Sequence, residues 1–188
     1  GKCCFPDMLN EEAGTWFGDK YRILLDKGID GFWNDMNEPA IFYSEKRLKK
    51  VFEKLAEYRE KNLDIRTFFE MTGLVSTISN NKEDYASFYH NYKGQKYCHD
   101  KVHNLFGYYM TRSAAEAFER YLPEKRVLLF SRASYIGMHR YGGIWQGDNM
   151  AWWSHLKMNI KMMPSLNMCG FLYTGADVGG FGADTTED

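Results

Sequence analysis

Four short strand-like runs, each ending in polar residues, constrain this chain more than any other feature. They are Ile29-Asp30-Gly31-Phe32-Trp33-Asn34, Arg126-Val127-Leu128-Leu129-Phe130-Ser131-Arg132, Gly142-Gly143-Ile144-Trp145-Gln146, and Met168-Cys169-Gly170-Phe171-Leu172-Tyr173-Thr174. The second is apolar throughout, with a polar end, as in a parallel strand covered on both faces. Helical spacing falls between them. Leu48, Val51, Phe52, Leu55 and Tyr58 mark a helix over 45–61, whose lysines, arginines and glutamates form a solvated face. Helices are also expected over 11–27, with Gly28 as the stop, over 104–121, with Pro123 as the break, and from Met150 to Met163. The order strand, helix, strand, strand, helix, strand is a repeating β/α unit. An eight-stranded barrel needs twice as many strands and roughly 250 residues. The chain of 188 residues is therefore expected to be about half of a (β/α)8 TIM barrel, one partial α/β domain over 1–188. Residues 62–100 read as an irregular loop or insertion, with turns at Asn80-Asn81-Lys82 and Lys93-Gly94.

In such a barrel the active site is built from the loops after the strands. Two acidic signatures sit there: Trp33-Asn34-Asp35-Met36-Asn37-Glu38-Pro39 and Trp145-Gln146-Gly147-Asp148-Asn149. Two carboxyl groups brought together from distant strand ends suit cleavage of a sugar acetal. One gives a proton to the departing oxygen, and the other acts on the opposite face of the ring as nucleophile or base. Asp148 also suits the N-cap of the helix that follows it, and the two roles are compatible.

Composition narrows the partners. The formal net charge is −1, which argues against nucleic acid or an anionic membrane. No apolar run reaches the 18 residues of a membrane-spanning helix. The four cysteines, Cys3, Cys4, Cys98 and Cys169, form no Cys-x-x-Cys pair, and the pattern suits reduced thiols in a cytoplasmic setting. Nothing at the N-terminus has the form of a signal peptide. His99 and His103 stand at i and i+4, but no second set of ligands accompanies them, and no metal or cofactor is expected. The 5 Trp, 13 Tyr and 13 Phe supply core first, and sugar-stacking surfaces second.

Taken in order, these motifs resemble the catalytic barrel of glycoside hydrolase family 31, the retaining α-glucosidases and their relatives. The likeness begins at Phe5-Pro6-Asp7. It runs through Gly28–Pro39, His103-Asn104-Leu105-Phe106-Gly107, Ser131-Arg132, Arg140-Tyr141 and Trp145–Asn149, and closes with Gly175-Ala176-Asp177-Val178-Gly179-Gly180-Phe181. The resemblance implies barrel strands four to seven, Asp35 as nucleophile and Asp148 as general acid/base. It implies Trp33, Met36, Arg132, Trp145 and Phe181 as substrate-binding groups, with Glu38, Asp177 and Arg140 in support. Glu38 is read as the ion-pair partner that fixes its loop, and Asp177 as an organiser of the site. An Asp that donates a proton needs a pKa well above ~3.9, and Trp145 and Trp152 offer apolar surroundings for Asp148.

The implied substrate is a small α-glucoside or oligosaccharide. Met138-His139 departs from the small residues common in relatives, and Gln146 occupies a variable position. The resemblance also implies that sugar-binding groups of the other strands lie outside this chain, so the rest of the barrel or another chain is expected to cover the open sheet edges. Other outcomes within the family, α-xylosidase, transglycosylase or glucan lyase, stay open, as does a non-catalytic carbohydrate-binding barrel.

Overall fold

The computed structural model describes residues 4–40, 43–182 and 185, so Cys3 lies outside the described residues. The chain divides into two compact units, one of residues 1–38 with 103–188 and one of residues 39–102.

The first unit is built on a parallel sheet of β1 (Gly31–Asn34), β4 (Leu128–Ser131), β5 (Gly143–Trp145) and β6 (Thr174–Gly175), in that spatial order. Its helices are α1 (Glu11–Lys20), α2 (Arg22–Leu25), most of α6 (His99–Tyr121) and α7 (Trp153–Met168). The parallel β/α order expected from the sequence is present. Asn10 caps α1, its side chain accepting from the Glu12 and Ala13 N–H groups, and the acidic Glu11 and Glu12 complement the helix dipole. The helix expected over 11–27 breaks at Tyr21 into α1 and α2.

Alternation along the strands splits the sheet into two faces. Phe32 and Leu129 point to the helices. There Leu25, Ala114, Phe118 and Leu129 are buried, with Tyr21, Phe32 and Val127 packed against them. Tyr21, Phe32 and Phe118 meet with ring centres 5.1 to 5.3 Å apart. Each such buried side chain stabilises the fold by about 1.5–3 kcal/mol. A second cluster, Met138, Ile144 and Phe171, ties β5 to the end of α7. The opposite face carries Trp33, Leu128, Phe130 and Trp145. It stays partly open, with Trp33 at 59% and Leu128 at 50% exposure.

The run 168–174 is not the strand that its apolar residues suggest. Helix α7 continues through Met168 and stops at Gly170, whose φ of +94° suits glycine at a helix C-terminus. The Phe171 N–H returns to the Leu166 carbonyl at 3.1 Å, and of the run only its end meets β5, the Tyr173 carbonyl accepting from the Ile144 N–H at 3.0 Å and Thr174–Gly175 forming the two paired positions. Asp148 does not cap α7 either; Trp152 occupies the N-cap position.

The second unit replaces the expected irregularity of 62–100 with regular elements. It holds α3 (Glu45–Ala56), α4 (Ile65–Ser76), the single turn α5 (Lys82–Tyr85), and a hairpin of β2 (Tyr89–Tyr92) and β3 (Gln95–Cys98). Asp64 and Thr67 form a reciprocal cap on α4. Lys93 and Gly94, at φ +49° and +78°, make the two-residue turn that hairpins favour. His90 and His99 are buried, with a ring nitrogen of each 2.9 Å apart, and Phe88 stacks on His99 at 4.1 Å. Thus His99 is packed as a core residue. Among the described residues no group of three or more His, Cys, Asp or Glu is placed to hold a metal.

Candidate active site

The carboxylates stand where the parallel strands end. Asp35 follows β1, Arg132 follows β4, Asp148 lies three residues past β5, and Asp177 two past β6. Arg132 links the first two loops. Its Nε and an Nη donate to the two Glu38 oxygens at 2.8 and 3.0 Å, and the other Nη lies 3.1 Å from Asp35 Oδ1. This bidentate fork fixes the guanidinium in a plane that a lysine has no means to reproduce. Arg132 is held protonated above even its ordinary range, chiefly by the Glu38 hydrogen bond, and the charges of Asp35 and Asp148 add to the effect.

Asp35 is presented by a strained turn. Met36 has φ +55°, rare for a residue with a side chain, and its N–H donates to Asp35 Oδ1 at 2.7 Å. The carboxylate is thus gripped at one oxygen by Met36 and Arg132. Among the described residues its Oδ2 has no partner.

Two buried asparagines knit the loops together, and sequence reasoning did not single them out. Asn37, 1% exposed, donates to Ser131 Oγ at 2.9 Å and accepts from the Ala133 N–H at 2.9 Å, joining the loop of Asp35 to that of Arg132. Asn149 joins the loop of Asp148 to that of Asp177 through two hydrogen bonds to the Asp177 backbone. Both lie inside the motifs already noted. The missing signal was burial, because an asparagine beside a turn reads as a solvated turn residue.

The Asp177 carboxyl is pushed above the usual carboxylate range, first by burial and then by the charges of Asp148 and Asp35. Asp148 itself is exposed and makes no hydrogen bond among the described residues.

The aromatic groups form a wall beneath these loops. Trp33 and Trp145 meet edge to face with centres 4.5 Å apart. They line a cavity of about 390 Å³ together with Leu128, Phe130, Gly175 and Asp177. Asp35 and Asp148 do not line it. The indole N–H of Trp145 is buried without a hydrogen-bond partner among the described residues. Trp152 is 53% exposed, so of the two tryptophans only Trp145 offers enclosed apolar surface. Phe181 is 71% exposed, its N–H bonded to the Asn149 carbonyl beside the loop of Asp148 at 2.7 Å. Arg140 is directed elsewhere, to the Gly137 carbonyl at 3.2 Å and the Tyr108 hydroxyl at 3.1 Å.

The glycosyl hydrolases family 31 TIM-barrel domain matches residues 1–188. Alpha-glucosidase 2 of Bacillus thermoamyloliquefaciens is 31% identical over 98% of this chain and 19% of its own length. The alpha-glucosidase of Saccharolobus solfataricus is 30% identical over 96% of this chain and 24% of its own. The crystal structure of the family 31 alpha-glucosidase from Bacteroides thetaiotaomicron superposes with a TM-score of 0.59 at 28% identity, covering 96% of this chain and 23% of that one. An alpha-1,4-glucan lyase from Gracilariopsis lemaneiformis, solved as a covalent intermediate complex, shares the fold at a TM-score of 0.68 and 21% identity over 98% of this chain and 18% of that one. The chain thus spans a quarter or less of the relatives it matches. With a match along every residue, and carboxylates at the ends of parallel strands, this chain belongs to glycoside hydrolase family 31, as part of its TIM-barrel domain.

Proposed function

We propose that the polypeptide carrying this chain hydrolyses terminal α-linked glucose from α-glucosides by double displacement, with Asp35 as nucleophile and Asp148 as general acid/base. One observation carries the reading: Asp35, Asp148 and Asp177 follow the ends of strands in one parallel sheet, where Arg132 holds Asp35 at 3.1 Å beside its fork to Glu38 and Asn149 ties the loop of Asp148 to that of Asp177. Relatives named alpha-glucosidases support the substrate class.

The geometry suggests how the roles divide. Oδ1 of Asp35 is engaged by Met36 and Arg132, which leaves Oδ2 to attack the anomeric carbon. As that bond forms, the bond to the leaving oxygen breaks, and Asp148 passes its proton to that oxygen. Water then attacks the same carbon from the face just vacated. Asp148 takes the water's proton, the ester bond breaks, and Asp35 returns as carboxylate. Arg132 steadies Asp35 and Glu38 through both steps. The exposed location of Asp148 suits exchange of the leaving group for water. Trp33 and Trp145 supply the apolar floor on which the C–H face of glucose packs. The remaining strands of the barrel complete the binding site.

The test is proton NMR of an aryl α-glucoside with the full-length polypeptide, following which anomer of glucose appears first. Early α-glucose is expected. Early β-glucose would mean inversion and would remove Asp35 from the nucleophile's role.

A further inference from the structure

Asp148 has no hydrogen bond among the described residues, so its position depends on its backbone. Gly147 before it adopts φ +82°, and with no side chain and open space where a Cβ would stand it adds no steric restraint to the loop. What fixes the loop is Asn149, which follows Asp148 directly and is 8% exposed. Its Oδ1 accepts from the Asp177 N–H at 3.0 Å, and its Nδ2 donates to the Asp177 carbonyl at 3.1 Å. This pair imitates one more rung of the β5–β6 ladder, which ends where the Gln146 N–H meets the Gly175 carbonyl at 2.8 Å. The Asn149 carbonyl accepts from Phe181 at 2.7 Å, and the Ala151 N–H donates to the Gly182 carbonyl at 2.7 Å. Gly180 permits this approach: its φ is +86°, and a Cβ there would lie 2.4 Å from the Ala151 nitrogen.

We infer that Asn149 is a positioning residue for proton transfer, its carboxamide locking the loop of Asp148 to the backbone of Asp177 so that two carboxyl groups keep a fixed separation. The inference rests on Asp148 as the general acid, and it makes a demand that loop stability alone does not. A misplaced acid harms departure of a basic leaving group and spares one that leaves without a proton.

The test measures kcat/KM of the full-length polypeptide on aryl α-glucosides, from 2,4-dinitrophenyl to phenyl, normalised to the folded fraction from thermal melts. The variants are Asn149→Ala, Asn149→Asp and Asp148→Asn. General acid catalysis contributes about 10²–10⁴-fold, so Asn149→Ala is expected to lose about 10–100-fold on the phenyl glucoside and only a few fold on the dinitrophenyl one. Asn149→Asp keeps the shape and the acceptor but sets a carboxylate oxygen against the Asp177 carbonyl where the donor stood, and is expected to lose at least as much as Asn149→Ala on the phenyl glucoside. A loss equal across the series, or no loss, overturns the positioning role. If Asp148→Asn itself shows no dependence on the leaving group, the acid assignment fails. If Asp148→Asn shows it and both Asn149 variants do not, only the present inference fails.

Discussion

Adding one methyl group at Gly107 distinguishes site geometry from fold stability. Gly107 lies in α6 against the two loops that hold Asp35 and Arg132. A Cβ there would stand 2.7 Å from the Ala133 Cβ, 2.9 Å from the Asn37 carbonyl oxygen and 3.0 Å from the Ala133 oxygen. Carbon contacts are optimal at about 3.5–4.0 Å, so the helix or the loops must yield by most of an ångström. Overpacking of this kind costs about 1–3 kcal/mol, and replacing glycine by alanine in a helix returns about 1 kcal/mol. The net destabilisation of Gly107→Ala is therefore about 0–2 kcal/mol, small enough to keep the protein folded. The displaced loops are the ones that aim the candidate nucleophile, and a shift near 1 Å can lower a rate about 100-fold. Gly18→Ala is the control. Its Cβ would meet the Ser113 carbonyl oxygen of α6 at 2.4 Å, far along the chain from the carboxylate loops. Melting curves and kcat on an aryl α-glucoside, both in the full-length polypeptide, read the two effects. Gly107→Ala should lose 10–100-fold in kcat with little change in melting, whereas Gly18→Ala should melt earlier with kcat near wild type in the folded fraction. Wild-type kcat in Gly107→Ala, or equal losses in both variants, would refute the reasoning.

Arg132→Lys keeps the charge and loses the fork to Glu38. Hydrogen bonds to charged groups contribute about 1.5–3 kcal/mol, so kcat/KM should fall about 10–100-fold, and a value within twofold of wild type would count against the clamp. Asp177→Asn tests the raised carboxyl. Because its folded pKa lies above the ordinary 3.8, the wild type loses stability as pH rises through that range and on to the folded value. The variant should melt higher than wild type at pH 7, with the difference vanishing near pH 3. Burial pushes the Tyr21 phenol up to about 12, so its contribution is intact below pH 10 and is lost as pH rises from 10 toward 12. Tyr21→Phe should flatten that alkaline loss in denaturant titrations. At neutral pH it should cost about 1–3 kcal/mol, by leaving the buried Asn34 Oδ1 without its donor.

The sheet was legible in the sequence because burial on the helix side demands apolar runs, and Phe32, Leu129 and Ile144 supply them. The same rule misled at 168–174, where Met168 closes a helix and local bonds around Gly170 decide the stop. The regular structure of 62–100 was hidden for the opposite reason. Ile65, Phe68, Phe69 and Val75 of α4 are all exposed, so no buried stripe marks the helix, which is set by the Asp64–Thr67 cap. At the candidate site the charged residues could be read from their place after strands. The pairing of Arg132 with Glu38 crosses 94 positions of sequence and becomes evident only in three dimensions. The carboxamide links of Asn37 and Asn149 were invisible for the same reason, since they depend on which backbone groups are left unpaired where parallel strands end.

The most direct test of the account is to trap the glycosyl–enzyme ester. The full-length polypeptide would be treated with a 5-fluoro-α-glucosyl fluoride, which slows the second displacement, then digested and sequenced by mass spectrometry. The account predicts one fluoroglycosyl adduct, on Asp35, and its loss in Asp35→Asn. An adduct on Glu38 or Asp148, or steady turnover of α-glucosides by Asp35→Asn, would contradict it.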